Sequence, residues 1–319
     1  MYIINKNEII EFVKSIDLLP IIKEGFIAYT KGRSVVPPVG ELSFKNPPGD
    51  VHIKYGYIAG ENYYVIKIAS GFYENETLGL PNGSGMMLLF DQQTGENIAL
   101  LADDAYLTDV RTAVAGAICA EQLSNPINCI GVIGTGLQGR FQVQYLKSIT
   151  DCRQVMVWGR NRLKMEKYKT DMEEEGFTIF LADTPSDVAA RANYIVTTTA
   201  STEPLLVTND IQPGTHITAM GSDTPRKQEL ESGILEKADL VVADSIPQCK
   251  ERGEIFHALN DNSISENEIL ELGTVLSGSA TGRNSNKDIT VADLTGVAVQ
   301  DIQIATAVFE TFLEINNEI

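Results

Sequence analysis

Apolar and polar positions follow two different patterns along this chain of 319 residues. Residues 1–105 combine helical periodicity near the N-terminus with runs in which apolar and polar residues alternate, as in antiparallel strands with one solvent-facing side. From residue 129 to about residue 245, short apolar runs alternate with helical patterns, which is typical of βαβ units and a parallel sheet. The pattern predicts an α/β fold with two domains of different construction.

The first pattern predicts a short strand at the N-terminus, two helices and then paired strands. The first helix has Ile9 and Val13 on its apolar face, and the second covers about residues 18–30. An extended segment with Pro37 and Pro38 follows, because proline fixes one backbone dihedral. The predicted strands are residues 51–58, 63–69, 86–90 and 97–102.

Lys67 interrupts the second, largely apolar strand of this set. A buried ammonium is costly unless its charge has a partner. Two interpretations follow. Either the strand lies at a sheet edge and Lys67 faces solvent, or Lys67 is aimed at a bound anion.

An alanine-rich helix is predicted over residues 107–123, with Thr108 as its N-cap. Arg111 falls in the predicted first turn, where a cation opposes the helix dipole. Such a local conflict is typical of a functional position, although an exposed arginine is the simpler alternative.

The stretch Cys129–Tyr145 organises the second half of the chain. An apolar strand leads into Gly134, Gly136 and Gly139, and a helical pattern follows. At this spacing the first glycine permits a tight turn, the second allows a pyrophosphate to approach the backbone, and the third allows close packing of helix on strand. Because a second strand candidate begins about twenty residues later, the context predicts a dinucleotide-binding βαβ unit.

The second half continues as a parallel, doubly wound sheet of the Rossmann type. A polar helical region over residues 248–272 and a Gly/Ser/Asn-rich loop over 277–287 follow. A C-terminal helix then runs to Ile319. The predicted strands are residues 129–133, 155–158, 178–181, 194–197, 216–219, 240–243 and 289–294.

The residues after the second strand indicate which dinucleotide binds. An NAD site usually has an acid there, which hydrogen-bonds the ribose 2′-hydroxyl. This chain has Arg160, Asn161 and Arg162 instead. Two arginines suit forked hydrogen bonds to a 2′-phosphate, so we expect NADP(H), with NAD(H) as the alternative.

Composition excludes several classes of function. The net charge of −18 argues against binding to nucleic acid or to anionic membranes, and no apolar run is long enough to span a bilayer. The four cysteines and three histidines have no metal-ligand spacing. With no leader pattern at the N-terminus, we expect a cytoplasmic protein with no metal.

Four charged residues outside the glycine loop are candidates for substrate chemistry. Arg33, Lys67 and Arg111 together could grip one carboxylate. Asp223 follows the strand at 216–219, at the sheet edge where ligands bind in such folds. It could also cap a helix beginning near Pro225, and the two roles are compatible.

With these motifs in order over nearly its whole length, the chain resembles the ornithine cyclodeaminase/μ-crystallin family. Residues 71–73 and 79–85 look most like the branch of Δ1-pyrroline-2-carboxylate reductases and ectoine-utilisation proteins, and they depart from the ornithine enzymes. The segments that carry the resemblance are Arg33 before Pro37-Pro38, residues 65–69, 79–81, 108–113, 131–136, 221–230 and 293–301.

The resemblance implies roles for individual residues. Arg33, Lys67 and Arg111 match positions that bind the substrate carboxylate, with Lys67 also assigned to catalysis, and Asp223 matches an acid beside the substrate nitrogen. The expected cofactor contacts are Gly134, Gly136, Leu137, Gln138, Gly139, Arg160, Asn161, Arg162, Thr198 and Gly221.

The resemblance also implies an activity and an assembly. We expect NADPH-dependent reduction of a cyclic imino acid, Δ1-pyrroline-2-carboxylate to L-proline, with Δ1-piperideine-2-carboxylate to L-pipecolate as a second substrate. The alternatives are an ornithine or lysine cyclodeaminase, and a non-catalytic protein that binds NADPH and a small ligand. A homodimer is expected, with residues 1–121 and 298–319 as the α+β substrate-binding and dimerisation domain, and 122–297 as the dinucleotide-binding domain.

Overall fold

The structure is a computed structural model that describes residues 1–72 and 74–316. The chain divides into two compact units, Met1–Arg111 with Val297–Ile319, and Thr112–Gly296. The first division falls inside a helix, Tyr106–Leu123, whereas the sequence pattern places the domain boundary at residue 121. Tyr73, part of a segment used for the branch assignment, lies outside the described residues, as do residues 317–319.

The first unit is built on a seven-stranded sheet. Its strand order is β1-β7-β6-β5-β4-β2, with β3 paired to β4, and every pairing is antiparallel except that of β1 with β7. The strands are β1 (Tyr2–Asn5), β2 (Ser34–Val35), β3 (Gly40–Lys45), β4 (Pro48–Ile58), β5 (Tyr63–Phe72), β6 (Gly83–Asp91) and β7 (Asn97–Ala102), and the helices are α1 (Lys6–Ser15), α2 (Leu18–Thr30) and the C-terminal α11 (Ala298–Ile315), with a 3₁₀ turn at Asn75–Leu78.

One face of this sheet is covered and the other is not. Alternate residues of β5, β6 and β7 are buried, including Val65, Leu89 and Leu101. The helices supply the other side of this core, because α2 has Ile22 and Phe26 buried and most of α11 is buried. The apolar periodicity thus predicted both helices and the burial of one sheet face.

Lys67 lies on the covered face, in the interior of the sheet rather than at its edge. Its strand β5 pairs with β4 on one side and β6 on the other, and the residue is 2% exposed. The interpretation of Lys67 as a solvent-facing lysine on an edge strand is therefore wrong.

The second unit carries an eight-stranded sheet in which every pairing is parallel. Its order is β10-β9-β8-β11-β12-β15-β13-β14. The strands are β8 (Ile130–Ile133), β9 (Gln154–Trp158), β10 (Thr178–Leu181), β11 (Tyr194–Thr197), β12 (His216–Ala219), β13 (Leu240–Ala243), β14 (Ile269–Glu271) and β15 (Thr290–Asp293), and the helices are α3 (Tyr106–Leu123, shared with the first unit), α4 (Leu137–Tyr145), α5 (Arg162–Glu174), α6 (Pro185–Arg191), α7 (Ser232–Lys237), α8 (Ile246–Cys249), α9 (Glu254–Asn260) and α10 (Leu272–Leu276), with 3₁₀ turns at Leu146–Ser148, Thr208–Asp210 and Glu266–Glu268.

Both faces of this sheet are buried. Ile133 and Ile195 belong to one buried cluster, whereas Val132 and Val196 belong to the other. Because neighbouring residues of a strand point to opposite faces, β8 and β11 each contribute to both cores. The predicted Rossmann-type doubly wound sheet with a second α+β domain is confirmed.

Three local predictions are wrong. The region 248–272 is not continuously helical, because β14 lies within it, and a strand of three residues is too short to show a period. Thr108 is not the N-cap, because α3 already begins at Tyr106, and the Leu107 amide donates to Asp103 Oδ2 at 2.8 Å. No helix begins near Pro225, since the next helix after β12 in the described residues is α7, which begins at Ser232. None of the described helices combines the length and apolar character needed to cross a membrane.

Candidate active site

The glycine loop between β8 and α4 has the geometry that its sequence predicts. Gly134 has φ of 122°, and a Cβ there would lie 2.5 Å from Thr198 Oγ1. A Cβ on Gly139 would lie 2.4 Å from the Gly134 carbonyl oxygen, whereas one on Gly136 would meet no atom within 4 Å. Two of the glycines are thus required by packing, and the middle one leaves open space beside the backbone.

The first backbone amides of helix α4 face this open space, and none of the described side chains caps them. Gly136 is its N-cap residue and supplies no side-chain acceptor. Leu137 begins the helix and is 52% exposed, and Gln138 follows in the first turn, where its side chain accepts from Gln142. The first amides of a helix, with the positive end of its dipole, favour a bound phosphate.

A cleft of about 590 Å³ opens at this loop. It lies at the carboxyl ends of β8 and β11, where the order of strands reverses direction, and ligands of open α/β sheets bind at such points. Its lining residues are Gly134, Thr135, Gly136, Trp158, Gly159, Arg160, Asn161, Lys164, Thr198, Thr199, Ala200, Ser201 and Leu205. The residues present fit a dinucleotide.

The turn after β9 has cations in the cleft, though not both predicted arginines. Arg160 is exposed and lines the cleft together with Lys164, which the sequence analysis did not single out. Arg162 instead forms an ion pair with Glu166 at 3.0 Å. Asn161 lines the cleft and also caps α5, accepting from the amide of Lys164 at 3.1 Å.

Glu229 joins the ends of two strands beside this cleft. Its carboxylate accepts hydrogen bonds from Thr197 Oγ1 at 2.7 Å, from the Thr199 amide at 2.5 Å and from the Gly221 amide at 2.9 Å. Burial raises the pKa of Glu229 to about 6, although these hydrogen bonds act to lower it. Gly221 is packed so closely on Thr199 that a Cβ would lie 2.2 Å from its carbonyl oxygen.

The first unit contains a buried cluster of two cations and one carboxylate, contributed by three separate elements. Lys67 Nζ of β5 lies 2.9 Å from Asp301 Oδ1 of α11, and Arg111 Nε of α3 lies 3.0 Å from the same oxygen. Arg111 Nη1 also donates to Gln300 Oε1 at 3.0 Å. All four side chains are buried.

Burial sets the ionisation of this cluster. It lowers the pKa of Lys67 to about 7, and the nearby charge of Arg111 adds to the effect, while Asp301 opposes it. Burial raises the pKa of Asp301, but Lys67 and Arg111 outweigh it, and the pKa lies below its ordinary value. Asp103, also buried, has a pKa raised to about 6 by burial.

Arg33 lies elsewhere in the same unit. Its guanidinium pairs with Glu24, and its side chain is 44% exposed. In the described residues it forms no ion pair or hydrogen bond with Lys67, Arg111 or Asp301. The structure therefore brings two of the three predicted cations together, and the substrate role of Arg33 stays a prediction.

Asp223 lies in the second unit, in the irregular segment after β12. Its Oδ1 accepts from Lys227 Nζ at 2.6 Å, and its backbone carbonyl accepts from Arg252 at 3.4 Å. Its side chain is 36% exposed, so it is accessible to a ligand. Lys227 is thus a cation beside this acid, and the sequence pattern did not indicate it.

Sequence reasoning missed three contributors: Asp301, Gln300 and Glu229. A signal for Asp301 was present, because it lies three residues after Ala298 and four before Ala305, on the apolar face of the last helix. An acid on such a face needs a buried partner. Glu229 gave no comparable signal, since its partners are mostly backbone amides.

The match to known proteins covers almost the whole chain. The model of the ornithine cyclodeaminase/mu-crystallin family matches residues 2–316. The chain belongs to this family. The resemblance inferred from the motifs is thereby confirmed.

Three curated relatives in this family carry different names. "Uncharacterized cyclodeaminase y4tK" of Sinorhizobium fredii is 39% identical, over 97% of this chain and 95% of its own. Alanine dehydrogenase of Archaeoglobus fulgidus is 32% identical, over 98% and 96%. Delta(1)-pyrroline-2-carboxylate reductase of Bacillus cereus is 29% identical, over 98% and 94%.

Two solved structures share the fold and contain a nicotinamide cofactor. An archaeal alanine dehydrogenase dimer with bound NAD superposes with a TM-score of 0.90 at 31% identity, covering 99% of this chain and 97% of its own. The iminosuccinate reductase of Paracoccus denitrificans in complex with NAD⁺ gives 0.86 at 27% identity, with the same coverage.

Proposed function

We propose that this protein reduces a 2-imino acid with NADPH, and that Δ1-pyrroline-2-carboxylate, giving L-proline, is its substrate. Δ1-Piperideine-2-carboxylate, giving L-pipecolate, is the six-membered counterpart. The observation that carries the proposal is the buried pair of cations Lys67 and Arg111 in the first unit. The glycine loop and cleft of the second unit supply the place for the cofactor.

Lys67 and Arg111 have N–H groups, beyond those that contact Asp301 and Gln300, that can donate to a substrate carboxylate. Lys67 has three N–H groups and one hydrogen bond, to Asp301, within the described residues. Arg111 has five N–H groups, of which Nε faces Asp301 and Nη1 donates to Gln300. A carboxylate that accepts from both would be held at two points, which fixes the carbon next to it. Arg33 is proposed as a third, more exposed contact.

Asp223 is proposed to act on the substrate nitrogen. A reduced nicotinamide held by the residues of the cleft would supply the hydride for the carbon of the C=N bond. The nitrogen must gain a proton, and a protonated imine accepts hydride more readily. Asp223 can hold that proton or stabilise the positive nitrogen, with an effect of roughly 10²–10⁴ on the rate. The ammonium group of Lys227, 2.6 Å from Asp223 Oδ1, is a cation beside this acid.

The choice of NADP(H) over NAD(H) is supported by the turn after β9. It lacks an acid for the ribose 2′-hydroxyl and brings Arg160 and Lys164 to the cleft. The relatives with bound NAD keep NAD(H) as the alternative.

A second candidate is reduction of an acyclic 2-imino acid formed from a 2-oxo acid and ammonia. Two observations favour it: the 32% identity to an alanine dehydrogenase over nearly the whole chain, and the TM-score of 0.90 to such an enzyme. The carboxylate site and the acid would serve both reactions alike. Cyclodeaminase activity is the third reaction to test, because a relative at 39% identity carries that name.

The deciding experiment measures oxidation of NADPH, with NADH in parallel, against a set of substrates. These are Δ1-pyrroline-2-carboxylate, Δ1-piperideine-2-carboxylate, and pyruvate with ammonia. We expect turnover of the five-membered imine at the highest kcat/KM. Highest activity with pyruvate and ammonia would replace it by the second candidate. Ammonia release from ornithine or lysine without added reductant would indicate a cyclodeaminase, and no turnover with any substrate would indicate a binding protein.

We also propose a homodimer formed through the uncovered face of the first sheet. Leu42 and Phe44 of β3, Tyr55 and Tyr57 of β4 and Met86 of β6 are each at least 37% exposed. Their registers place them on one face, opposite to that of Lys67. An apolar patch of this kind is typical of a protein interface, and the archaeal relative is a dimer.

A further inference from the structure

The cation pair of the first unit depends on two neighbouring residues at the start of α11. Asp301 Oδ1 contacts Lys67 and Arg111 at 2.9 and 3.0 Å, and Gln300 Oε1 accepts from Arg111 Nη1 at 3.0 Å. Asp301 is 1% exposed and Gln300 is fully buried. The first unit's own C-terminal helix therefore fixes side chains that come from β5 and α3.

The charges around Lys67 show why Asp301 matters. Arg111 of α3 and Lys54 of β4 are cations that face it, and Lys54 is its direct cross-strand neighbour. Asp301 of α11 and Asp103 after β7 are the acids that face it. Asp103 Oδ2 is occupied by the Leu107 amide, and burial raises the pKa of this carboxyl. Asp301 thus supplies most of the charge that keeps Lys67 protonated among like charges.

The orientation of Gln300 adds a donor to the cluster. Arginine cannot accept a hydrogen bond, so the atom that faces Arg111 Nη1 must be the amide oxygen. The other terminal atom of the side chain is then the amide nitrogen, which is buried with no hydrogen-bond partner in the described residues. A buried unpaired donor is costly, and an anionic ligand next to Lys67 and Arg111 would satisfy it.

We propose that Asp301 is a positioning residue for Lys67 and Arg111, and that the Gln300 amide is a further donor to the substrate carboxylate. The inference rests on the proposed function, since it assigns the anion of this site to the imino acid. Asp301 holds both cations from one side, through one oxygen, and their remaining N–H groups serve the ligand. Asp301 itself does not touch the reacting atoms.

A purely structural buried ion pair is the alternative, and it makes a different prediction. Removing one member of such a pair destabilises the fold because a buried charge is left uncompensated. It has no reason to change substrate KM or the pH dependence of activity in the molecules that fold. Substrate KM and the pH dependence of activity must therefore be measured separately from stability.

Three variants of the 319-residue chain distinguish the two interpretations. Asp301→Asn keeps the shape and removes the charge, Gln300→Leu removes the amide and changes no charge, and Glu310→Gln is the matched control. Glu310 is a half-buried acid on the same helix. It lies nine residues after Asp301, which is about 13 Å along a helix axis.

For Asp301→Asn we expect substrate KM to rise about tenfold or more, with the NADPH KM unchanged. The pH at which kcat/KM falls on the alkaline side, the alkaline limb of the profile, should decrease by about one unit, because Lys67 loses its proton more easily. Gln300→Leu should raise substrate KM about tenfold with the limb at its wild-type pH. The control should keep wild-type KM and pH limb.

Folded Asp301→Asn protein with wild-type KM and pH limb would overturn the positioning role, and Gln300→Leu with wild-type KM would overturn the donor role. If Asp301→Asn does not fold, Asp301→Glu replaces it, because this change keeps the charge and displaces it by one methylene. Raised substrate KM then supports the inference and wild-type KM refutes it. If the wild-type protein reduces no imino acid, the proposed function itself is wrong. That outcome differs from a defect seen only in the variants.

Discussion

At the scale of single residues, Lys67 links the fold of the first unit to its proposed chemistry. Burying a lysine ammonium inside a sheet is unfavourable, and here Asp301 at 2.9 Å offsets the lost hydration. The same burial lowers the pKa of its ammonium group to about 7. A group that titrates near neutral pH is sensitive to whether a substrate anion is present.

We predict that kcat/KM for the imino acid falls as pH rises above about 7. Below this pH the folded protein has Lys67 protonated and able to bind a carboxylate, and above it the charge is lost. A bound carboxylate favours the charged form, so the limb in kcat should lie at higher pH than the limb in kcat/KM. Initial rates over pH 5.5–9.5 measure both, and coincident limbs would contradict the assignment to Lys67.

Glu229 gives a second prediction at this scale. Glu229→Gln replaces one acceptor oxygen by an NH₂ group, so at least one of its three donors loses its partner. We expect the free energy of unfolding to fall by about 1–3 kcal/mol. NADPH affinity should fall several-fold, because Thr199 lines the cleft.

Urea unfolding and a fluorescence titration with NADPH measure these two effects. Glu236→Gln, a change at an exposed acid on α7, is the control and should be neutral in both. A Glu229→Gln protein with wild-type NADPH affinity would show that Glu229 does not shape the cleft.

At the scale of elements, the strand–loop–helix unit β8–α4 shows what each glycine does. The positions differ in their surroundings, which the sequence motif alone does not reveal. A Cβ at Gly139 meets backbone at 2.4 Å, and backbone cannot move aside cheaply. A Cβ at Gly136 meets nothing within 4 Å.

We predict opposite outcomes for two alanine substitutions in this loop. Gly139→Ala should lower the free energy of unfolding by about 1–3 kcal/mol. Gly136→Ala should leave stability unchanged, since its φ of −77° suits alanine, but should weaken NADPH binding about tenfold or more. Thermal unfolding and NADPH titration of both proteins test the pair, and strong cofactor binding by Gly136→Ala would place the phosphates elsewhere.

The turn between β9 and α5 carries the prediction on cofactor choice. Arg160→Ala or Lys164→Ala should raise the NADPH KM about tenfold or more, because each removes a cation that lines the cleft and can attract the 2′-phosphate. Arg162→Ala should have a smaller effect, since Arg162 is paired with Glu166. NADH is the matched control ligand, because it lacks the phosphate. A wild-type preference for NADH would make NAD(H) the cofactor.

At the scale of the whole molecule, the uncovered sheet face of the first unit determines the expected assembly. We predict that the protein has twice the mass of the chain in solution. The double variant Tyr55→Glu/Tyr57→Glu should be monomeric, because it places two charges in the apolar face. Light scattering after gel filtration measures both, with Leu163→Glu as the control at an 80% exposed leucine of α5. A monomeric wild-type protein would rule the dimer out.

Most of the local structure, and the family, could be predicted from the amino-acid sequence alone. The seven predicted strands of the parallel sheet matched the structure to within one residue at each end, because a strand buried on both faces is a short continuous apolar run. The glycine spacing predicted the turn into α4, since the need for positive φ and close packing is local. The motifs as a set indicated the family.

The grouping of the charged residues depends on long-range packing, which the sequence pattern does not show. Lys67, Arg111 and Asp301 come from β5, α3 and α11, and no local pattern relates positions so far apart in the chain. Arg33 and Arg162 have suitable chemistry, yet each is paired with a neighbouring glutamate. Burial also sets the pKa of Lys67, and burial depends on the packing of whole elements rather than on neighbouring residues.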